Sequence, residues 1–171
     1  MHDFKWTSIP IFQDMSEQEL DKVKPIFEVV SIEKDNKLIK EGEKGDHMFV
    51  LVEGKVRVTK SMIIEGLHLP LEEVRNPRKV LATLDSTVCP VFGEMALLDE
   101  DQRSATVETL ENSRFLKTSR DQFFDLVRRE PVVGCKLLTI LGRRLAANVR
   151  RANSELIKLT TALALALSQT K

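Results

Sequence analysis

The stretch MFVLVEGKVRVTK, Met48 to Lys60, holds two short runs of apolar and alternating residues that meet at Gly54. Runs of this length on either side of a turn residue are typical of β-strands. The same rhythm extends from Phe27 to about Leu116, in the segments FEVVSI, KLIKEG, KVLATL, SATVETL and RFLKTS. Many short strands joined by tight turns predict an antiparallel sandwich or barrel.

One segment between Lys60 and Val80 breaks this rhythm. Its sequence, SMIIEGLHLPLEEVRNPR, contains Pro70 and Pro77 and shows no clear apolar period. We interpret it as an extended connection or a long hairpin tip.

Short helices are predicted on both sides of the strand region. Ser16 and Glu19 have the spacing of a capping box, so a helix should begin at Ser16, and Pro25 limits its length. Ser119 and Gln122 repeat this spacing after the last strand, where they predict a second helix.

Beyond Pro131 the sequence predicts one long helix, from Val132 to about Ser168. Its apolar residues recur at steps of three and four, which is typical of a coiled-coil seam. The seam positions are Leu138, Leu141, Leu145, Val149, Ala152, Leu156, Leu159, Leu163 and Ala166. A helix of about 35 residues is about 50 Å long, which is more than a small β domain can cover.

We therefore predict that residues 1–130 form the β domain with its short helices, and that residues 131–171 form a dimerisation helix. The alternative is a helix that folds back on its own domain. That arrangement explains Leu137 to Leu145 but leaves Leu156, Leu159 and Leu163 without a partner.

Charge and cysteine content argue against several classes of function. The chain of 171 residues has 26 Lys and Arg against 26 Asp and Glu, so its net charge gives no reason to expect nucleic acid or an anionic membrane as partner. Cys89 and Cys135 form no CxxC pair and His2, His47 and His68 are widely spaced, which disfavours a metal site. Free thiols, and the lack of a signal-like or membrane-spanning run, favour a cytoplasmic protein.

A different kind of pattern follows in FGEMALLDEDQRSATV, Phe92 to Val107. A glycine followed by backbone N–H groups at the start of a helical turn is a common phosphate site, because the amides and the helix dipole both favour an anion. Gly93 gives the backbone this freedom, and Ala96 and Leu97 can form the turn without a bulky polar side chain.

The charged residues of this stretch suggest two separate targets. A carboxylate repels a phosphate, so we expect Glu94 to accept a hydrogen bond from a hydroxyl, such as that of a ribose. Arg103 can pair with an anion bidentately, and Ser104 adds a hydroxyl donor beside it. Taken singly, a glutamate after glycine is commonly a turn residue and an arginine before a strand is commonly a solvated charge. The combination favours the binding interpretation.

The stretch resembles the phosphate-binding cassette of the cyclic nucleotide-binding domain family, whose pattern is approximately F-G-E-[apolar]-[AG]-L, a short loop and R-[AST]-A. The matching residues are Phe92, Gly93, Glu94, Met95, Ala96, Leu97, Arg103, Ser104 and Ala105. Upstream, GEKGDHMFVLVEGKVRV resembles the family's hairpin, with Gly42, Gly45 and Asp46 at its G-x-x-G-D positions. The RRL of Arg143 to Leu145 resembles the long helix of the Crp/Fnr-type, or cyclic AMP receptor, branch.

The resemblance implies a mainly β fold: a double-stranded β-helix, or jelly-roll-like β-roll, of about eight antiparallel strands, with flanking helices and a long C-terminal helix. It also implies a role for each cassette residue. Glu94 would bind the ribose 2′-hydroxyl, and Arg103 would pair with the cyclic phosphate. The amides of Ala96 and Leu97 would hold phosphate oxygens and Ser104 would contact phosphate or base, with Gly93 and Met95 completing the cassette.

The base of the ligand has a predicted contact on the long helix. In the receptor branch the position that reaches the base falls at Asn148, whose amide can both donate and accept. The alternative is that Asn148 sets the register of a coiled-coil seam. Ser104 stands where Ala is common in cyclic AMP sites and Thr in many cyclic GMP sites. We predict cyclic AMP as the ligand, with cyclic GMP as the alternative.

The chain departs from the family pattern in two places. Where the family usually has L-x-x-G-x-x-F-G-E, this chain reads LDSTVCPVFGE, which is two residues longer, contains Cys89 and Pro90, and lacks the glycine. The receptor branch also continues into a helix-turn-helix, and none is visible before Lys171. We therefore expect a nucleotide sensor without its own DNA-binding domain, or part of a longer chain, with an unknown output partner.

The sequence leaves two alternative functions. The first is a β-roll that binds no nucleotide and acts only as a dimerisation or interaction scaffold. The second is a metal-dependent enzyme of the double-stranded β-helix type, for which His47 and His68 supply too few ligands. We expect a regulatory binding domain and not an enzyme.

Overall fold

Eight antiparallel strands form two four-stranded sheets in the computed structural model, which describes residues 4–62 and 78–168. The strands are β1 (Glu28–Ile32), β2 (Lys37–Ile39), β3 (His47–Glu53), β4 (Lys55–Ser61), β5 (Arg78–Asp85), β6 (Val91–Phe92), β7 (Thr106–Thr109) and β8 (Ser113–Ser119). One sheet has the order β1-β8-β3-β6 and the other β2-β7-β4-β5. This confirms the predicted β-roll. Most of the predicted connection between Lys60 and Val80 lies outside the described residues.

The core lies between the two sheets, because alternate residues of each strand point inward. Phe49 and Leu51 of β3 face this core, and the ring of Phe49 meets that of Phe115 edge-on with centroids 6.4 Å apart. The buried cluster is Ile39, Phe49, Leu51, Val56, Phe92, Val107 and Phe115. The alternating runs in the sequence are therefore the inward faces of the strands.

Gly54 is a corner between the sheets and not the tip of a hairpin. Strand β3 pairs with β6 and β8, whereas β4 pairs with β5 and β7, so the two strands on either side of Gly54 lie in different sheets. The interpretation of this stretch as a hairpin was wrong. Gly54 has φ of 102°, and a Cβ there would lie 2.8 Å from the Cα of Ser113. Only glycine fits such a close approach in a left-handed conformation.

Two helices begin where the capping boxes predict. Helix α1 (Glu17–Val23) has Ser16 as its N-cap, and Ser16 Oγ accepts the Glu19 amide at 3.3 Å while the Glu19 carboxylate accepts the Ser16 amide at 2.9 Å. Pro25 lies in the 3₁₀ turn Lys24–Ile26 that ends this helix.

The second capping box lies after β8. It begins helix α3 (Arg120–Arg129). The short helix α2 (Glu94–Asp99) lies earlier in the chain, between β6 and β7. Helix α3 has Ser119 as N-cap, with Gln122 completing the reciprocal bonds. Both predicted helix starts are confirmed.

The unusual lead-in to the cassette folds into a compact turn. Residues 86–88 form a single 3₁₀ turn capped by Asp85, whose carboxylate accepts the Thr87 amide at 3.0 Å. Cys89 stands three residues before Phe92, where the family pattern has glycine, and takes the left-handed conformation (φ 39°) that glycine would favour. The Pro90 carbonyl then accepts the Leu51 amide at 3.0 Å. The inserted residues therefore leave β6 in register with β3.

Helix α4 (Pro131–Ser168) is continuous over 38 residues, or about 57 Å at 1.5 Å per residue. The chain divides into two units, Met1–Gly134 and Cys135–Lys171, so nearly all of α4 belongs to the second. Large apolar side chains in the C-terminal half of α4 are 59–65% exposed in the single chain. They are Val149, Leu156, Ile157, Leu159, Leu163, Leu165 and Leu167. Dimerisation through this helix stays a prediction.

Two glycines of α4 should respond in opposite directions to alanine. At Gly134 a Cβ would lie 2.7 Å from the Val127 Cα, a backbone atom of α3. Overpacking costs about 1–3 kcal/mol, more than the roughly 1 kcal/mol that alanine contributes to a helix, so Gly134→Ala should destabilise the fold. At Gly142 an added Cβ would meet no described atom within 4 Å beyond the adjacent backbone of its own helix, and Gly142→Ala should stabilise by up to about 1 kcal/mol. Urea unfolding measures both, and equal effects of the two substitutions would contradict the close approach.

Candidate functional site

The candidate site is built around the start of α2. Gly93 is the N-cap of this helix and has φ of 79°, in the left-handed region. A Cβ at Gly93 would lie 2.6 Å from the His47 carbonyl oxygen and would overlap the Arg103 guanidinium. Glycine is therefore required here both for the backbone conformation and for the close approach of two neighbours.

The backbone amides at the start of α2 differ in their hydrogen bonding. The first N–H groups of a helix have no acceptor one turn back, and Ala96 lies in this first turn. The Leu97 N–H, by contrast, donates to the Gly93 carbonyl at 3.1 Å. The prediction gave the anion-binding role to the amides of both Ala96 and Leu97. The Leu97 amide is already engaged within the helix, and the anion-binding role of both amides stays a prediction.

The backbone of Arg103 is fixed by two hydrogen bonds to the loop that contains Gly42 and Glu43. Its carbonyl accepts the Gly42 amide at 2.9 Å, and its amide donates to the Glu43 carbonyl at 2.9 Å. The guanidinium Nη1 donates to the Gly93 carbonyl at 3.2 Å. Gly45 also lies against the guanidinium, where a Cβ would overlap the Nε and Cζ atoms of Arg103. The side chain is therefore packed against two glycines.

The charges of the site are buried together. Arg103 and Glu94 are each only 8% exposed. Burial lowers the pKa of the Arg103 guanidinium, and the carboxylates of Asp46 and Glu94 oppose that shift. A buried charge is stable only with partners, and these two carboxylates supply them. A guanidinium carries five N–H donors, so its bond to one carbonyl does not exhaust its capacity to bind an anion.

Met95 and Ser104 lie at the exposed side of the same site. The Ser104 Oγ is 3.7 Å from the Met95 sulfur, and both residues face solvent. The structure thus brings together all the predicted cassette residues, which are Gly93, Glu94, Met95, Ala96, Leu97, Arg103 and Ser104. Asn148 lies on α4, in the second unit, with an exposed side chain. Its contact with the base stays a prediction.

Gly45 and Asp46 belong to the site, although no binding role was predicted for them. Their loop precedes β3 and runs beside the cassette, where Lys44 and Gln102 form an antiparallel bridge. The G-x-x-G-D spacing was the available signal, since it matched the family pattern. The spacing does not reveal that Gly45 packs against the guanidinium of Arg103, or that the Asp46 carboxylate interacts with it. Arg103 lies almost sixty residues further along the chain.

Across residues 4–62 and 78–168, no group of three or more His, Cys, Asp and Glu side chains is arranged to hold a metal ion. Within that same part of the chain, no helix combines the length and the apolar character needed to cross a membrane.

Comparison with known proteins identifies the family. Residues 29–130 match the family described as "Cyclic nucleotide-binding domain". The chain is 31% identical over 147 residues to the cyclic AMP receptor protein of Thermus thermophilus, covering 86% of this chain and 60% of that protein. It is 34% identical over 105 residues to human cGMP-dependent protein kinase 2, covering 61% of this chain and 12% of the kinase.

A solved structure gives the same result for the fold. The crystal structure of a cyclic nucleotide-binding domain from Methylobacillus flagellatus superposes with a TM-score of 0.71 at 25% identity, covering 87% of this chain and 76% of that one. The family match over residues 29–130 and the similarity to the cyclic AMP receptor protein show that the chain belongs to the cyclic nucleotide-binding domain family, in its Crp/Fnr-like form.

Proposed function

We propose that this protein is a regulatory sensor of a cyclic nucleotide, cyclic AMP in preference to cyclic GMP, and that it catalyses no reaction. The observation that carries the proposal is the position of the Arg103 guanidinium. It lies beside Gly93, at the end of α2 where the backbone amides and the helix dipole favour an anion.

Each group of the site has a matching part of the ligand. The cyclic phosphate would pair with Arg103 and with the amide of Ala96. The carboxylate of Glu94, one residue after Gly93, would accept the ribose 2′-hydroxyl, since it can accept hydrogen bonds but repels the phosphate. Ser104 would contact the phosphate or the base at the exposed side of the site, and Asn148 would meet the base from α4.

The preference for cyclic AMP rests on the extent of the two similarities. The Thermus protein named for cyclic AMP matches 86% of this chain, a length that must reach into α4, whereas the kinase named for cyclic GMP matches 61%. The base would meet α4 in this proposal, so similarity that includes this helix carries more weight. Cyclic GMP remains the alternative ligand.

Transmission of the signal would use α4 and a second copy of the chain. A helix of 38 residues with exposed leucines over its C-terminal half is typical of a coiled-coil dimer. Binding of the nucleotide would then bias the helix pair between two arrangements that a partner protein reads. Cys89 and Cys135 are both free thiols, which fits a sensor that works in the cytoplasm.

Arg103→Ala should weaken nucleotide binding by about 30-fold to 1,000-fold, because a buried charge-assisted phosphate contact contributes about 2–4 kcal/mol. Titration calorimetry with cyclic AMP and cyclic GMP measures this. The matched control is Arg57→Ala on β4, which removes a partly exposed ion pair with Glu108 of β7 and should leave the affinity unchanged. If the wild-type protein binds neither nucleotide at sub-millimolar concentration, the scaffold function replaces the proposed one.

Gly45→Ala should weaken nucleotide binding indirectly, by displacing Arg103, and not through a contact of residue 45 with the ligand. The added methyl group overlaps the Arg103 guanidinium, which must move, while the flexible arginine side chain lets the fold accommodate the change. We expect an affinity loss of about 10-fold to 100-fold, the range for a displaced charged hydrogen bond. The thermal midpoint should stay close to that of the wild type. Wild-type affinity in this variant would show that the packing of Arg103 against Gly45 does not matter for binding.

The dimer can be tested on the full chain by sedimentation, where the wild type should run near twice the 19.5 kDa of one chain. Leu156→Lys with Leu163→Lys places two charges in the predicted seam and should give monomers, since burying an unpaired ammonium is strongly unfavourable. Ile157→Lys with Leu165→Lys adds the same charges to equally exposed positions outside the seam and should preserve the dimer. A dimer that survives the first pair would place the interface elsewhere.

A further inference from the structure

Arg120 occupies a position that helix electrostatics disfavours. It is the first residue of α3, directly after the N-cap Ser119. The N-terminus of a helix carries a partial positive charge, so a cation there is unfavourable. The capping box of Ser119 and Gln122 is sufficient to start α3 without it. The hydrogen-bonding and ionic partners of the Arg120 side chain lie outside its own helix.

The Arg120 guanidinium caps the opposite end of the cassette helix. Its Nη1 donates to the Leu97 carbonyl and, at 3.1 Å, to the Leu98 carbonyl, which lie in the last turn of α2. Its Nη2 pairs at 2.7 Å with the carboxylate of Glu100, the C-cap residue of α2. The last carbonyls of a helix have no partner inside it and favour a cation. The Arg120 guanidinium supplies both the hydrogen-bond donors that these carbonyls need and the positive charge that this end of the helix favours.

Arg120 is itself fixed in this position from two sides. The guanidinium lies over the ring of Phe124, 4.6 Å from its centroid, which orients the planar group. The backbone amide of Arg120 donates to the Asp46 carbonyl at 2.7 Å, in the loop that also supports Arg103. The side chain is 27% exposed, so these bonds are partly shielded from water. The loop that contains Gly45 and Asp46 therefore contacts Arg103 at the N-terminal end of α2 and Arg120 at its C-terminal end.

We propose that Arg120 is a positioning residue for the nucleotide site, which it serves by holding α2 folded from its C-terminal end. This inference rests on the proposed function. Helix α2 has six residues, and a helix that short does not persist without tertiary contacts. The anion-binding geometry at its other end exists only while the helix is formed. Arg120 would therefore control binding from the far side of α2, without a contact to the ligand.

The size of the effect follows from the population of the folded cassette. When the binding-competent state is populated only in part, the apparent dissociation constant rises in inverse proportion to its fraction. Arg120→Gln removes the charge but keeps an amide donor for the α2 carbonyls, so the net loss is about one charge-assisted hydrogen bond, which shifts such an equilibrium by about ten-fold. The expected loss of affinity is therefore smaller than that for Arg103→Ala. The loss of stability that causes it is confined to α2, the helix that binds the anion.

The test combines calorimetry with amide hydrogen exchange on the full chain. Arg120→Gln should weaken the binding of cyclic AMP, or of cyclic GMP if that is the ligand, by about ten-fold. Arg120→Lys, which keeps the charge but loses the fork, should restore part of this loss. The control is Arg129→Gln, because Arg129 stands on the last turn of the same helix and pairs with Asp125 at 2.7 Å. It should bind as the wild type does.

Hydrogen exchange separates positioning from general stability. In the nucleotide-free protein, the amides of Leu97 and Glu100, which donate to Gly93 and Ala96, should exchange about ten-fold faster in Arg120→Gln. The amides of β3 and β8 should keep their wild-type rates. Equal acceleration in α2 and in these strands would mean that Arg120 only stabilises the whole fold, and would overturn the inference.

The binding results distinguish the two proposals. If the wild type binds and Arg120→Gln binds equally well, the inference is wrong while the proposed function stands. If the wild type binds no cyclic nucleotide, the proposed function is wrong, and unchanged exchange of the α2 amides would then reject the capping role as well. Should Arg120→Gln fail to fold, Glu100→Gln removes only the ion pair with Nη2, and we expect a loss of about three-fold.

Discussion

The packing of the Arg103 guanidinium against Gly45 and Gly93 is the constraint on which the candidate site depends. A buried cation needs partners, and here the Gly93 carbonyl and the carboxylates of Asp46 and Glu94 supply them. The approach is possible because neither glycine has a Cβ. The β-roll sets the distance between the two glycines: β3 begins two residues after Gly45, β6 ends one residue before Gly93, and these strands pair with each other. A shift in that register would separate the groups that hold Arg103.

Much of the fold could be predicted from local patterns, and the errors have a common cause. Alternating runs identified every strand except β6, whose two residues are too few to show a period. Capping boxes identified the starts of α1 and α3, because their hydrogen bonds join residues three apart. Gly54 was misinterpreted because a hairpin tip and a corner between sheets both require a turn residue. Which strands pair depends on residues far away in the chain, such as Ser113, and no local pattern contains that information.

The site shows the same division between local and distant information. The sequence could predict that the residues from Gly93 to Ser104 lie close together, since one short segment contains both the helix start and the arginine. The contribution of Gly45 could not be derived physically, because its partner is Arg103, and Arg120 gave no local signal beyond an unfavourable position in α3. Cys89 illustrates a further limit. The missing glycine suggested an altered lead-in, yet Cys89 adopts the left-handed backbone itself and the pairing of β6 is kept.

The two arginines make the ends of α2 electrostatically unequal. Arg120 lies at the C-terminal end, where the helix dipole favours a cation, and it also pairs there with Glu100. Arg103 lies at the N-terminal end, where the dipole opposes a cation, and its stability depends on neighbouring carboxylates and a carbonyl. An anion at the N-terminal end would interact favourably with both the dipole and Arg103. In the proposed function the phosphate therefore adds stability at the end of α2 that lacks it, while the other end is already organised. Binding would then stabilise the N-terminal end of a helix that is already folded.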